Sequence, residues 1–249
     1  VTPEPAPPPA FPATNLIFRD DAYAGSATAR GIGIHAGMLV LDRTLFYAAS
    51  GGQPSDAGAI TGPDGRAVPI AELRYLDPAK TIIGHRLAEG ASPEAFLDKA
   101  LTLSLDVERR IKLMRVHSAL HLLSVALPYP VTGGAIGEGE GRLDFDIPEA
   151  GLEKEAITEA LNALINQNAP IRDRWITESE LDANPGLVKT MSVKPPRGAG
   201  RVRLVEIEGL DLQPCGGTHV RNTREIGPMI VTAIEKKGKQ NRRVRIAFA

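Results

Sequence analysis

Residues 106–128 read DVERRIKLMRVHSALHLLSVALP, a stretch that fixes both a structural element and a chemical one. Asp106 suits a helix N-cap, Glu108 complements the positive end of the helix dipole, and Pro128 cannot continue a helix. The pattern therefore predicts one helix over Val107–Leu127. From Ile111 onward apolar residues occur nearly all round it, which suits a helix packed against a sheet rather than one laid on a surface. His117 and His121 stand four apart on one helical face, where two imidazoles can close on a single cation.

A lone HxxxH pair is more often two unrelated histidines, and a lone cysteine more often a small buried hydrophobe. Here a second motif changes the reading. PCGGTHV, residues 214–220, contributes Cys215 and His219, and the chain contains only one cysteine and five histidines. Three imidazoles and a thiolate are a zinc-type ligand set by softness and number. His117, His121, Cys215 and His219 are therefore the expected ligands of one shared zinc.

Composition frames that site. The chain has 249 residues, 43% of them hydrophobic, enough for one large or two ordinary domains with a real core. A single cysteine cannot make an internal disulfide, no apolar run approaches the roughly 18 residues of a membrane span, and no secretory apolar segment opens the chain. A reducing cytoplasm and no membrane partner are expected. The formal net charge is −1, so any nucleic-acid contact must come from local basic patches.

The proline-rich residues 1–14 favour an extended tail. Residues 15–105 alternate short apolar stretches with Gly and Pro turns, which predicts a small β-barrel or sandwich. Residues 106–249 read as α+β: the HxxxH helix, a second helix over 152–168 with a stripe of Ile157, Leu161, Leu164 and Ile165, and strands at RWIT, VRLVEI, MIVTAIE and RVRIAFA. GGAIGEGEG, residues 133–141, lacks the GK[ST] ending of a phosphate loop and reads as a flexible connection. His35 and His85 have no partner motif and read as ordinary structural or surface residues.

LDRTLFYAASGGQPSDAG at 41–58, RRIKLMRVHSALHLL at 109–123 and QPCGGTHV at 213–220 together resemble the editing domain of alanyl-tRNA synthetases and their free-standing relatives, the alanyl-tRNA editing proteins. The likeness runs over roughly residues 15–249. It implies an N-terminal β-barrel followed by an α+β editing domain whose HxxxH helix packs on an antiparallel sheet. It also implies a hydrolase that removes serine, and often glycine, from mischarged tRNA for alanine, with zinc held by His117, His121, Cys215 and His219. Gly51, Gly52 and Gln53 would then lie beside the pocket, where a backbone without Cβ can approach an aminoacyl-adenosine. The chain departs from the family at Ala48-Ala49-Ser50-Gly51-Gly52, where a Pro-acidic or Pro-small pair and three glycines are usual, which bears on the loop's shape and on amino-acid preference.

The reaction so implied is hydrolysis of an aminoacyl ester. Zinc could polarise the ester carbonyl, orient the substrate amine or activate a water, and a closed four-ligand sphere would need one ligand to yield or the coordination to expand. No obvious general base stands in the motifs, so a positioned water assisted by the 3′-terminal ribose hydroxyl is expected; Gln53 and Thr44 are the candidate catalytic residues, with Thr44 as the hydrogen-bond partner that distinguishes serine from alanine. Lys236, Lys237, Lys239 and Arg242 belong to an acid-free run that continues through Arg243 and Arg245. Lys189, Lys194, Arg197, Arg201 and Arg203 form a second. Such runs are commonly solvated faces, and beside an aminoacyl-tRNA site they are candidate phosphate contacts. No ATP-binding motif is present, so no ATP is expected. A structural-zinc RNA-binding module and an editing fragment of a longer synthetase stay open beside the deacylase.

Overall fold

The computed structural model describes residues 11–147, 151–189 and 200–249. Its described residues form a mixed α/β chain in two compact units: residues 11–49 with Ser55–Val107, and Ser50–Pro54 with the described part of Glu108–Ala249. Ser50–Pro54, inside the first domain by sequence pattern, thus groups with the second unit.

The first unit is a closed barrel. Its strands are β1 (Ser26–His35), β2 (Met38–Leu41), β3 (Gly58–Thr61), β4 (Ala67–Tyr75), β5 (Ile83–Leu87) and β6 (Ala100–Leu105). They run in the order β1-β2-β5-β4-β3-β6, and β6 pairs back onto β1, so every neighbour is antiparallel and no edge is left open. Leu39, Leu41, Ile60, Ile83 and Leu103 fill the interior with no exposure, joined by Leu45, Phe46 and the Phe18–Tyr47 edge-to-face pair at 5.4 Å. His85 is fully buried among them. Its Nδ1 lies 3.1 Å from the Leu39 carbonyl and its Nε2 2.9 Å from Thr44 Oγ1. A neutral ring that donates from Nδ1 and accepts from the Thr44 hydroxyl satisfies both bonds.

The second unit is built around helix α1 (Val107–Ala126). Strands β7 (Val131–Ile136) and β8 (Glu140–Asp146) form a hairpin, followed by α2 (Lys154–Ile165), β9 (Ile171–Thr177), α3 (Glu178–Ala183), β10 (Arg201–Ile207), β11 (Asp211–Pro214), β12 (Met229–Lys236) and β13 (Asn241–Phe248). One sheet has the order β12-β13-β8-β7 and the other β9-β10-β11. Arg115 of the helix stacks on Phe248 of the first sheet at 3.9 Å, while His121 meets Asp211 of the second at 3.0 Å. The all-round apolar pattern of α1 follows from serving two sheets at once. Helix α2 buries Ile157, Leu161 and Ile165, and its Asn162 side chain bonds both the Met229 amide and carbonyl of β12.

The glycine-rich stretch 133–141 is not a flexible connection: most of it lies in the β7–β8 hairpin, with Gly141 opposite Ile136 and Leu143 opposite Gly134. Glycine lowers strand propensity, but here it admits the helix, since a Cβ on Gly141 would stand 2.6 Å from Val116 Cγ1. Helix α3 escaped the sequence reading although its TESE start forms a capping box between Thr177 and Glu180.

His85 gives a pH test of the barrel. Burial pulls its imidazole down to about 4, although the Leu39 carbonyl favours the charged form. Below the ordinary value of about 6.5 the unfolded chain takes up a proton that the folded barrel refuses. Stability contributed by the neutral ring is complete above that value and is lost as pH falls toward 4. Between pH 7 and pH 5 the wild type should lose roughly 2 kcal/mol more unfolding free energy than His85→Gln. Urea titrations at both pH values measure this, and equal losses would contradict the buried neutral ring.

Candidate metal centre

The HxxxH helix and the strand leading into PCGGTHV meet in the second unit. Antiparallel pairing of β11 with β10 sets Asp211 opposite Ile207 and Gln213 opposite Val205, and the Cys215 amide extends the ladder by donating to the Arg203 carbonyl at 3.1 Å. Because side chains alternate along a strand, Asp211, Gln213 and Cys215 share the face that looks at α1. His219 follows after the Gly216-Gly217 turn. The ligand atoms of His117, His121, Cys215 and His219 all lie within 4.8 Å of one another, and the three histidines are each 7% exposed.

Each imidazole is held from behind. His117 Nδ1 is 2.9 Å from Gln53 Oε1, His121 Nδ1 is 3.0 Å from Asp211 Oδ2, and His219 Nδ1 is 3.1 Å from Ser118 Oγ. With every Nδ1 engaged, the atoms left to converge are the Nε2 nitrogens. Cys215 Sγ sits 3.5 Å from His117 Nε2 and 3.3 Å from His219 Nε2. Tetrahedral zinc with bonds of about 2.0–2.1 Å to nitrogen and 2.3 Å to sulfur places such atoms about 3.6 Å apart. The donor set and its spacing therefore fit zinc. Outer hydrogen bonds that fix the tautomer are the usual support of histidine ligands.

The charges agree with a site built for a cation. Burial raises the Cys215 thiol, but the facing imidazoles of His117 and His219 outweigh it and hold the group well below its ordinary value. Burial lowers His121, yet Asp211 and Cys215 carry it up to about 9 in the metal-free protein. His219 is pushed well down by burial and by the charge on His117. Asp211 is itself held low, against its burial, by His121, Lys189 and Gln213; Lys189 Nζ lies 2.5 Å from its Oδ1.

The loop geometry explains the glycines. A Cβ on Gly217 would stand 2.3 Å from His117 Cε1 and 2.6 Å from Gln53 Oε1, so only glycine lets the loop close over the ring. Arg203 clamps the same loop, donating to the carbonyls of Cys215 and Gly217 at 3.1 and 3.0 Å. Gly216 is exposed and an added Cβ there meets nothing within 4 Å.

The other sequence candidates fall in varied places. Gln53 is 1% exposed, and besides His117 it accepts from the Thr218 amide and donates to Thr218 Oγ1. Its amide oxygen is shared between His117 Nδ1 and the Thr218 amide. Gly51 and Gly52 adopt left-handed backbone, φ 58° and 85°, in the turn where Ser50 and Gln53 exchange hydrogen bonds. Thr44 lies fully buried in the barrel, its hydroxyl spent on His85 and on the Phe46 amide. Lys236, Lys237 and Lys239 are exposed, with Lys237 3.0 Å from Glu235. Arg242 is 9% exposed and donates to the carbonyls of Gly238 and Asn241. Arg243 and Arg245 are tied to Asp144 and Glu235. Lys194 and Arg197 lie outside the described residues. Sequence reasoning missed Asp211, Gln213 and Ser118; the apolar-polar alternation DLQPC was the available signal for the first two.

A two-unit chain with a three-histidine, one-cysteine centre is the class that fold and site define, and sequence comparison gives its family. Residues 202–245 match the family described as Threonyl and Alanyl tRNA synthetase second additional domain. The chain is 29% identical over 236 residues to the alanyl-tRNA editing protein AlaX-M of Saccharolobus solfataricus, covering 93% of this chain and 97% of that one. It is 33% identical over 215 residues to the protein of the same name from Methanosarcina barkeri, 83% and 87% of the two chains. An alanine–tRNA ligase from Methanothermobacter thermautotrophicus is 32% identical over 237 residues, 91% of this chain but 25% of the ligase. The chain belongs to the alanyl-tRNA editing protein family.

Elemental analysis of purified protein should find one zinc per chain in the wild type and none in Cys215→Ala. Asp211→Asn should keep the fold and weaken zinc binding by about 10- to 100-fold, measured by chelator competition. Equal affinity in wild type and Asp211→Asn would show that Asp211 does not support His121.

Proposed function

We propose that this protein is a zinc-dependent deacylase that removes wrongly attached serine, and glycine, from tRNA for alanine. The observation that carries the reading is the convergence of His117, His121, Cys215 and His219, with each ring fixed through Nδ1, in a chain of the editing family. Zinc bound there would supply a Lewis acid beside the ester. The chain's own residues then prepare the site. Gln53, Ser118 and Asp211 hold the rings in one tautomer, Arg203 holds the CGG turn, and exposed Gly216 leaves room for an aminoacyl-adenosine. Gly51 and Gly52 are proposed to offer backbone to the substrate, and Lys236, Lys237, Lys239 and Arg242 to face tRNA phosphates. A cytoplasmic location fits the reduced thiol that such a site needs. The match to a quarter of the ligase supports a second reading, an editing segment of a longer synthetase. The full open reading frame separates the two.

Serine mischarged on tRNA for alanine should be deacylated rapidly and correctly charged alanine slowly, with activity lost on zinc removal and restored by zinc. A zinc-loaded protein without turnover on the serine substrate would sink the enzymatic reading in favour of a structural zinc. We assign serine preference to Thr44, acting through the hydroxyl bond that fixes His85 and the strand ahead of the glycine turn. Thr44→Val, which removes the hydroxyl that holds His85, should narrow the serine-over-alanine ratio. An unchanged ratio with a lowered Tm would leave Thr44 as barrel core alone.

If the C-terminal lysines meet phosphates, neutralising Lys236, Lys237 and Lys239 should weaken tRNA binding and flatten its salt dependence while zinc content stays constant. A salt slope equal to that of wild type would make them a solvated face.

A further inference from the structure

Trp175 is the chain's single tryptophan, and it is 42% exposed on β9, an outer strand of the three-stranded sheet. Its strand register decides where it points. Trp175 lies directly opposite Arg203 on β10, and the ladder continues from Arg203 to Cys215. Residues opposite one another in antiparallel strands share a face, so Trp175, Arg203 and Cys215 form one row across the sheet. Arg203 confirms the sidedness, for its guanidinium reaches Asp173 at 3.7 Å on one side and the Cys215 and Gly217 carbonyls on the other. Two strand spacings of about 4.8 Å put Trp175 roughly 10 Å from the metal cluster. That is the scale of a nucleoside, the distance from an ester on a ribose to a base nearby in the same strand.

The setting of the ring is cationic and stacking-competent. The Arg201 guanidinium lies over it at 5.5 Å, and Arg203, directly opposite the ring, lies 3.7 Å from Asp173. Exposed aromatic rings with neighbouring arginines bind unpaired bases, because every base has a π-face and its phosphate is negative. Resting on the deacylase reading, we infer that Trp175, backed by Arg201, is the stacking platform for an unpaired nucleobase at the 3′ end of the tRNA whose ester lies at the metal cluster. The Arg201 guanidinium over the ring and the shared row with Cys215 commit the face to single-stranded RNA.

The single tryptophan makes the test direct. Zinc-loaded full-length protein titrated with the trinucleotide CCA should show saturable quenching of tryptophan emission, and a blunt RNA duplex should not produce it. Trp175→Leu should bind labelled CCA about five- to hundredfold more weakly, the factor a base–aromatic stack carries, and Trp175→Phe should recover most of it. With seryl-tRNA the loss should fall on KM rather than kcat. Absent quenching, or CCA affinity within twofold of wild type in Trp175→Leu, overturns the inference. So does a change in oligomeric state with CCA affinity intact, which would make the ring a protein contact. A wild type that quenches with CCA but hydrolyses no seryl-tRNA would remove the deacylase reading and leave the platform standing.

Discussion

The second unit depends on a constraint that sits behind the clustered His117, His121, Cys215 and His219 rather than on them. An imidazole can offer either nitrogen, and three free rings in one cavity would point six nitrogens in unrelated directions. Gln53, Ser118 and Asp211 remove that freedom by occupying each Nδ1, so that the Nε2 atoms face Cys215 Sγ. These bonds tie three separate pieces of chain together: the Ser50–Pro54 turn, helix α1 and the strand running into the CGG loop. Each holder is itself anchored. Asp211 is bonded by Lys189 and Gln213, Gln53 by Thr218, and Ser118 Oγ accepts from the Val220 amide at 3.3 Å. A ligand set supported this way is preorganised, and preorganisation is what lets a metal site bind and orient at little further ordering cost.

The same constraint explains why the fold takes this form. Helix α1 must serve two sheets, one packed against the Val116 and Arg115 side and one meeting His121, and that requirement produces its nearly unbroken apolar character. Where the helix approaches the β7–β8 hairpin, the strand has glycine; where the CGG loop approaches His117, the loop has glycine. Both are close approaches that a single Cβ would block. The barrel of the first unit is governed by different physics, a closed hydrogen-bond ladder around aliphatic residues with one buried neutral histidine.

How much of this the sequence disclosed follows from the range of each interaction. The four clustered residues were legible because both pairs are four residues apart and short motifs carry them. A mixed α/β chain with a strand-rich first part, which closes into a barrel, was legible from apolar patterning. The holders were not: His117 meets a residue 64 positions away, His121 one 90 away and His219 one 101 away, and no local pattern encodes such meetings. Gln53 was singled out by its motif, but its place behind His117 required the fold. The hairpin at 133–141 was misread because glycine punctuates loops by local propensity, and only tertiary packing against Val116 reverses that preference. The C-terminal cations looked free because their partners Asp144 and Glu235 lie in other strands or just before the run.

Zinc-edge X-ray absorption on the purified protein tests the central claim, that three Nε2 atoms and one thiolate share one metal. The account predicts a shell of about three nitrogens at roughly 2.0–2.1 Å with one sulfur at about 2.3 Å. A shell without sulfur, or one with fewer than two histidine scatterers, would contradict it.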